Sequence, residues 1–209
     1  NTCYFEEFAD GSEPPTVINM ESGGFGKLRP TKYDERIDET SEKPGAQRME
    51  KMVSGRYLGE IYGHALADIL GRDKPFSFTS IDLSAIVADA CLDRHEAAAI
   101  LEKKTGEKFN ALELNLLQNL AGVIIARSAR FVAATFAGIV RHRANGAAIK
   151  EQHIAIDGSV YEKIPLVAEN LKKALDALLG DDAAKIHIFL ENTGSALGAA
   201  LAAAVSAAR

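Results

Sequence analysis

Apolar and polar positions alternate with period two in Thr2-Cys3-Tyr4-Phe5-Glu6-Glu7 and again in Val17-Ile18-Asn19-Met20. The turn-forming run Asp10-Gly11-Ser12-Glu13-Pro14-Pro15 lies between them, so the pattern predicts a β-hairpin. From Glu21 to Pro44 the chain is first Gly-rich (Gly23, Gly24, Gly26) and then charged, which reads as a loop followed by a solvated segment. After Pro44-Gly45 the period lengthens: Met49, Met52/Val53, Tyr57 and Ile61 recur at helical intervals, and one helix is expected from Gln47 to Leu70. Phe76 to Asp89 reads as a connector, and a helix follows near Arg94 to Lys103. Ala111 to Arg143 is the longest periodic run, closed by Asn145-Gly146, and its length points to a break or kink. Then come a buried strand over Ile154 to Asp157, a helix from about Val167 to Leu179, a strand over Ile186 to Leu190 and an Ala-rich helix from Ser195. Strand, helix, strand, helix after an early hairpin is an α/β arrangement with parallel pairing at the end.

Composition narrows the classes. With 209 residues, 47% hydrophobic and 25% charged, the chain has the make-up of one large folded domain or one lobe of a larger protein. A net charge of −5 lacks the basic field that draws proteins to nucleic acid or anionic lipid. The most apolar stretch, Leu116 to Val140, carries Arg127 and Arg130, so it reads as a buried helix and no membrane partner is expected. Two cysteines, Cys3 and Cys91, stand far apart without CxxC or Cys/His spacing, which fits a reducing cytoplasm better than a disulfide or zinc framework. No secretory leader opens the sequence. The start at Asn1, without Met, reads as a piece or processed product of a longer chain.

Chemistry concentrates in four short stretches: Asn1-Thr2-Cys3-Tyr4, Asn19 to Gly26, Pro44 to Lys51 and Asn192 to Ala200. Thr31 to Asp34 with Ile37-Asp38, Val53 to Glu60 and Ile156 to Tyr161 extend the pattern. Together and in this order they resemble the C-terminal large lobe of the hexokinase family, along nearly the whole chain. The resemblance implies a ribonuclease-H-like α/β fold of the actin-like ATPase superfamily, a mixed sheet flanked by helices. It also implies residues 1–209 as the large domain, ATP-dependent phosphorylation of a glucose-like hexose at its 6-hydroxyl, the first step of glycolysis, and ATP with Mg2+ as cofactor.

A hexose is a ring of hydroxyls that needs carboxylates and amides around it. Glu21 and Glu50 offer the carboxylates, and the resemblance adds the amides Asn1 and Gln47. Phosphates need hydroxyls, backbone amides and helix starts. The resemblance puts Gly55, Arg56, Ser80, Ser84, Gly194, Ser195 and Gly198 on the nucleotide side. On the residues alone, Glu50 reads rather as a solvated helix start, Ser195 as a helix cap, and Ser80 and Ser84 as loop or helix-start hydroxyls; the resemblance reverses this. Ala196 and Leu197 depart from the family's Gly-Ser-Gly run. Ser22 and Lys27 stand where many members have Trp and Asp, a pattern closer to bacterial members.

The family's phosphate loop and proton-accepting Asp precede the stretch that begins here at Asn1, so no catalytic residue is expected in this chain. Its partners are then the hexose, ATP and the missing N-terminal lobe, with self-association of the isolated piece through apolar surface. A non-catalytic hexose-binding half, or a related sugar kinase, is the alternative reading. Arg127 and Arg130 read as helix packing with snorkelled charges. His187, in an apolar strand, reads as a satisfied core residue, and the five histidines show no metal-ligand spacing. No metal site is expected.

Overall fold

Two of the predicted alternating segments pair at once. In a computed structural model, which describes residues 2–6 and 16–191 and the separate positions 198, 200, 203 and 204, β1 (Cys3–Glu6) and β2 (Thr16–Asn19) form an antiparallel ladder. The late strands β3 (Gln152–Ile156) and β4 (Ile186–Leu190) pair in parallel, in register His153 with His187. Among the described residues these are two separate two-stranded sheets, and eight helices surround them: α1 (Lys32–Thr40), α2 (Arg48–Val53), α3 (Gly55–Ile69), α4 (Ser80–Ala88), α5 (His95–Thr105), α6 (Ala111–Ala144), α7 (Ser159–Lys163) and α8 (Val167–Leu179).

Helix α6 is the spine. Asn110 accepts from the amides of Leu112 and Glu113, Glu113 answers with a bond to the Asn110 amide, and Asn145 ends the helix in a left-handed conformation. Its 34 residues run for about 51 Å without the expected break. The first half packs with α3, α4 and α5 around Leu58, Ile61, Tyr62, Leu66, Leu83, Ile86, Leu101 and Ile125. The second half packs Ala133, Phe136, Ala137 and Val140 against Leu171, Leu175 and Leu179 of α8. The helix is long and apolar enough to cross a membrane; part of its apolar surface packs into these two clusters, while Leu112, Leu116 and Val123 are exposed.

Three segments differ from their sequence reading. The charged run expected to be a solvated segment forms α1, because Thr31 and Asp34 make a capping box and Ile37 finds the core. The connector over Phe76 to Asp89 contains α4, capped in the same way by Thr79 and Asp82. The single helix expected from Gln47 to Leu70 is two: Ser54 is extended, and the Ser128 hydroxyl takes the Val53 carbonyl at 2.9 Å, so the break is held from α6.

His187 is also corrected. It is exposed, beside Glu151 and stacked on His153 at 5.1 Å, because β3 and β4 turn only Ile154, Ile156, Ile186 and Ile188 toward the helices. Arg127 does not snorkel either. It turns inward, with two 2.7 Å bonds to the buried Asp34.

The α3 face toward the chain at 76–79 carries Gly59 and Gly63, one helical turn apart. A β-carbon on Gly59 would stand 2.3 Å from the Phe78 carbonyl oxygen, and one on Gly63 would stand 1.9 Å from that of Phe76. Backbone thus lies directly on helix backbone, Phe78 closes edge-to-face on Tyr62 at 5.0 Å, and Ser80 is delivered beside Gly55. Gly59→Ala is expected to lower stability by about 1–3 kcal/mol, because a carbonyl held by the chain on both sides cannot swing away. Chemical denaturation of the variant against the parent measures it.

Candidate functional site

Of the four expected sugar residues, Gln47 and Glu50 lie against the turn that Glu21 opens. Glu21 opens a tight turn over Ser22–Gly24, closed by the Gly24 amide on the Glu21 carbonyl at 2.9 Å. That turn sits on the start of α2. A β-carbon on Gly23 would come within 2.8 Å of Gln47 Oε1 and 3.2 Å of Glu50 Cβ. The missing side chain of Gly23 makes room for Gln47 and Glu50. All three side chains stay exposed to solvent. Glu21 Oε1 accepts from Asn19 Nδ2 at 2.7 Å, which aims it, and the Thr2 and Ser22 hydroxyls bond at 3.0 Å, which ties the start of β1 to the same turn. Asn1 itself lies outside the described residues.

The backbone at this surface is strained. Glu21 (φ 46°) and Gln47 (φ 49°) both adopt the left-handed conformation that non-glycine residues avoid. Such strain persists only where surrounding structure imposes it, and it gathers at sites with a task. For Gln47 the restraint is visible. Lys51 is buried on the next helical turn, and its ammonium reaches Asp38 at 2.5 Å, the Ser41 hydroxyl at 2.8 Å and the Lys43 carbonyl at 2.8 Å. Asp38 also accepts the Gly45 amide at 2.9 Å. The Lys51 bond first, with the Gly45 amide behind it, holds the Asp38 carboxyl below the usual carboxylate range. Asp38 and Lys51 lie in stretches that carry the family resemblance, but nothing in their spacing announces that they meet each other and Ser41.

A hollow of about 350 Å³ opens beside these residues, and Gln47, Glu50, Lys51, Arg56 and Glu60 are among those that line it. Arg56, next to Gly55 at the start of α3, lines the same hollow as Glu50 and is stacked over the Tyr57 ring at 5.3 Å. The start of α3, just past the break at Ser54, is the neighbouring feature.

The expected phosphate-side residues divide. Gly55 begins α3, and its missing side chain leaves Ser80 Oγ 3.7 Å from the β-carbon position, with Val160 of α7 also against it. Ser54 makes no side-chain cap on α3; the Tyr57 amide donates to the Ser54 carbonyl at 2.9 Å, and the helix start keeps its positive dipole end. Helix α4 differs: Thr79 and Asp82 occupy its first turn, and Lys104 pairs with Asp82 at 2.9 Å. Ser84, farther along, donates to the Lys163 carbonyl at 3.4 Å and so joins α4 to α7. Asp157-Gly158 leaves the carboxyl end of β3, the end of a parallel pair where open α/β sheets hold ligands. Gly194 and Ser195 lie outside the described residues. Gly198 is helical and exposed, with nothing within 4 Å of a β-carbon there.

The hexokinase family profile matches residues 1–205. The chain is 36% identical to a hexokinase of Emericella nidulans over 216 residues, covering 93% of this chain and 43% of that relative. To hexokinase-1 of Saccharomyces cerevisiae it is 35% identical over 220 residues, 95% of this chain and 44% of the yeast protein. Among solved structures, a crystal structure of a hexokinase superposes with a TM-score of 0.80 at 27% identity, covering 92% of this chain and 45% of that one. A Schistosoma mansoni hexokinase complexed with glucose shares the fold with a TM-score of 0.74 at 24% identity. The architecture is therefore the mixed α/β, helix-rich fold of the actin-like ATPases, and the chain belongs to the hexokinase family. It spans less than half the length of these relatives.

Proposed function

We propose that this chain is the C-terminal large lobe of an ATP-dependent hexose kinase that phosphorylates a glucose-like sugar at its 6-hydroxyl. Glu21, Gln47 and Glu50, with Asn1, hold the sugar. The start of α3 at Gly55 and Arg56, with Ser80, faces the phosphates, and Gly194, Ser195 and Gly198 face the rest of the nucleotide. The observation that carries the reading is the seating of the strained Glu21 turn on Gln47 and Glu50, which puts two carboxylates and an amide on one open surface. Sugar hydroxyls need such acceptors and donors in fixed places.

The residues fit ATP in one specific respect: the uncapped start of α3 beside a hydroxyl suits a phosphate. Gly55, Arg56 and Ser80 include no carboxylate, so Mg2+ belongs to the phosphates and their waters. ATP supplies the transferable γ-phosphoryl group. The chain's own residues orient the acceptor hydroxyl and neutralise charge, the terms that dominate phosphoryl transfer. Ser84, bonded to Lys163, acts through packing. The proton-accepting Asp and the phosphate loop come from the missing N-terminal lobe. Phe5 and Val17, paired across the hairpin and 64% and 55% exposed, offer apolar surface to that lobe or to a second copy.

Isothermal calorimetry with glucose on the protein carrying both lobes tests the reading. Glu50→Gln removes a charged acceptor worth about 1.5–3 kcal/mol, so affinity is expected to fall about 10- to 150-fold. Unchanged affinity would remove Glu50 from the site. The 209-residue chain alone should form no hexose 6-phosphate from ATP. Ala196 and Leu197 favour one second reading, a hexose-binding half without chemistry. In that case calorimetry on the two-lobed protein shows sugar binding without nucleotide binding.

A further inference from the structure

Between α4 and α5 the chain makes a short exposed turn with no part in hexose phosphorylation. Its side chains include the thiol of Cys91, the carboxylate of Asp93 and the imidazole of His95, and one ligand atom from each lies within 4.8 Å of the others. We propose that Cys91, Asp93 and His95 form a binding site for a borderline divalent transition-metal ion of the zinc class, with a fourth position open to water or an incoming ligand.

Geometry supports this first. Asp93 Oδ1 and His95 Nδ1 are 3.2 Å apart, close to the roughly 3.4 Å between two ligands on a tetrahedral ion with bonds of about 2.1 Å. The exposed Cys91 thiol, within 4.8 Å of both, is the third ligand. The donor set decides the metal, since sulfur and imidazole nitrogen with a single carboxylate suit zinc and its neighbours, whereas calcium and magnesium require oxygen.

The residues between and around the ligands support it second. Arg94, between Asp93 and His95 in sequence, would repel a cation if it faced the cluster. Instead its guanidinium turns to α6, with Nε on Gln118 Oε1 at 2.8 Å and Nη2 on Asn115 Oδ1 at 3.1 Å. Its left-handed backbone (φ 45°) sends the flanking side chains away from its own. Asp89 Oδ1 accepts the Cys91 amide at 3.1 Å, and Oδ2 accepts the Ala97 amide at 3.0 Å. The Arg94 amide closes the turn on the Cys91 carbonyl at 3.1 Å. Gln118 Nε2 holds the Ile86 and Asp89 carbonyls at 2.8 and 2.7 Å. The turn is thus fixed from below while its ligand atoms face solvent. Binding would deprotonate the thiol and release that proton to water.

Cobalt(II) titrated into the 209-residue chain is the probe. A thiolate-to-cobalt charge-transfer band in the near ultraviolet, displaced by excess zinc, is expected. Cys91→Ser should abolish the band, Cys3→Ser should keep it, and His95→Ala should weaken cobalt binding at least about tenfold. These side chains are exposed, and circular dichroism should show the variants folded. Absence of the band in the parent chain, its survival in Cys91→Ser, or unchanged affinity in His95→Ala would each overturn the assignment.

Discussion

Arg127→Met is expected to lower the unfolding free energy by about 3–5 kcal/mol, the usual cost of removing one partner from a buried pair. The Asp34 side chain is 3% exposed, and both its oxygens are met by the guanidinium. Burial alone would push that carboxyl up. The Arg127 bonds, then the Thr31 hydroxyl and amide, outweigh it and leave Asp34 below its ordinary value. A folded-state value below the unfolded one means that the unfolded chain binds the proton more readily. The pair's contribution is therefore present above the unfolded carboxylate range and is lost as pH falls through the folded value. Acid titration of stability should show the parent losing this increment below about pH 4, while Arg127→Met, which has already lost it, shows a shallower fall. Equal slopes would mean that the pair does not titrate with unfolding.

That pair also shows where sequence reading stops. The helices α6 and α8 and the strands β3 and β4 were legible because their apolar positions repeat at the period of the element, and α8 and β4 match their predicted bounds residue for residue. Helices α1 and α4 were missed because caps, not apolar stripes, start them: Thr31 with Asp34 and Thr79 with Asp82. Each is a Thr followed three residues later by an acid, a signal that was available. The Gly55, Gly59, Gly63 spacing was also available, and it places Ser80. Arg127 could not be read, since Asp34 is distant in sequence and a guanidinium amid apolar residues looks the same whether it points out or in.

For the candidate site, the grouping of Glu21, Gln47 and Glu50 comes from the family resemblance, and periodicity would not have joined them. What holds them is the layer beneath, and it predicts the second large effect. Lys51→Met should cost about 3 kcal/mol, near the lower end for a broken buried pair, because Asp38 retains some solvent and the Gly45 amide. The consequence for binding should exceed that of an equally destabilising core change. Without the ammonium, Ser41, the Lys43 carbonyl and Asp38 lose their common partner, and the loop that keeps Gln47 left-handed is held more weakly, through the Asp38 bond to the Gly45 amide. A misplacement of about 1 Å can cost roughly 100-fold in function. Hexose affinity of the two-lobed protein should therefore fall at least about tenfold at a temperature where Lys51→Met remains folded. A cavity variant of matched stability far from the loop, Leu171→Ala, should leave affinity unchanged. If both variants bind hexose as the parent does, Lys51 holds the fold together without shaping the site.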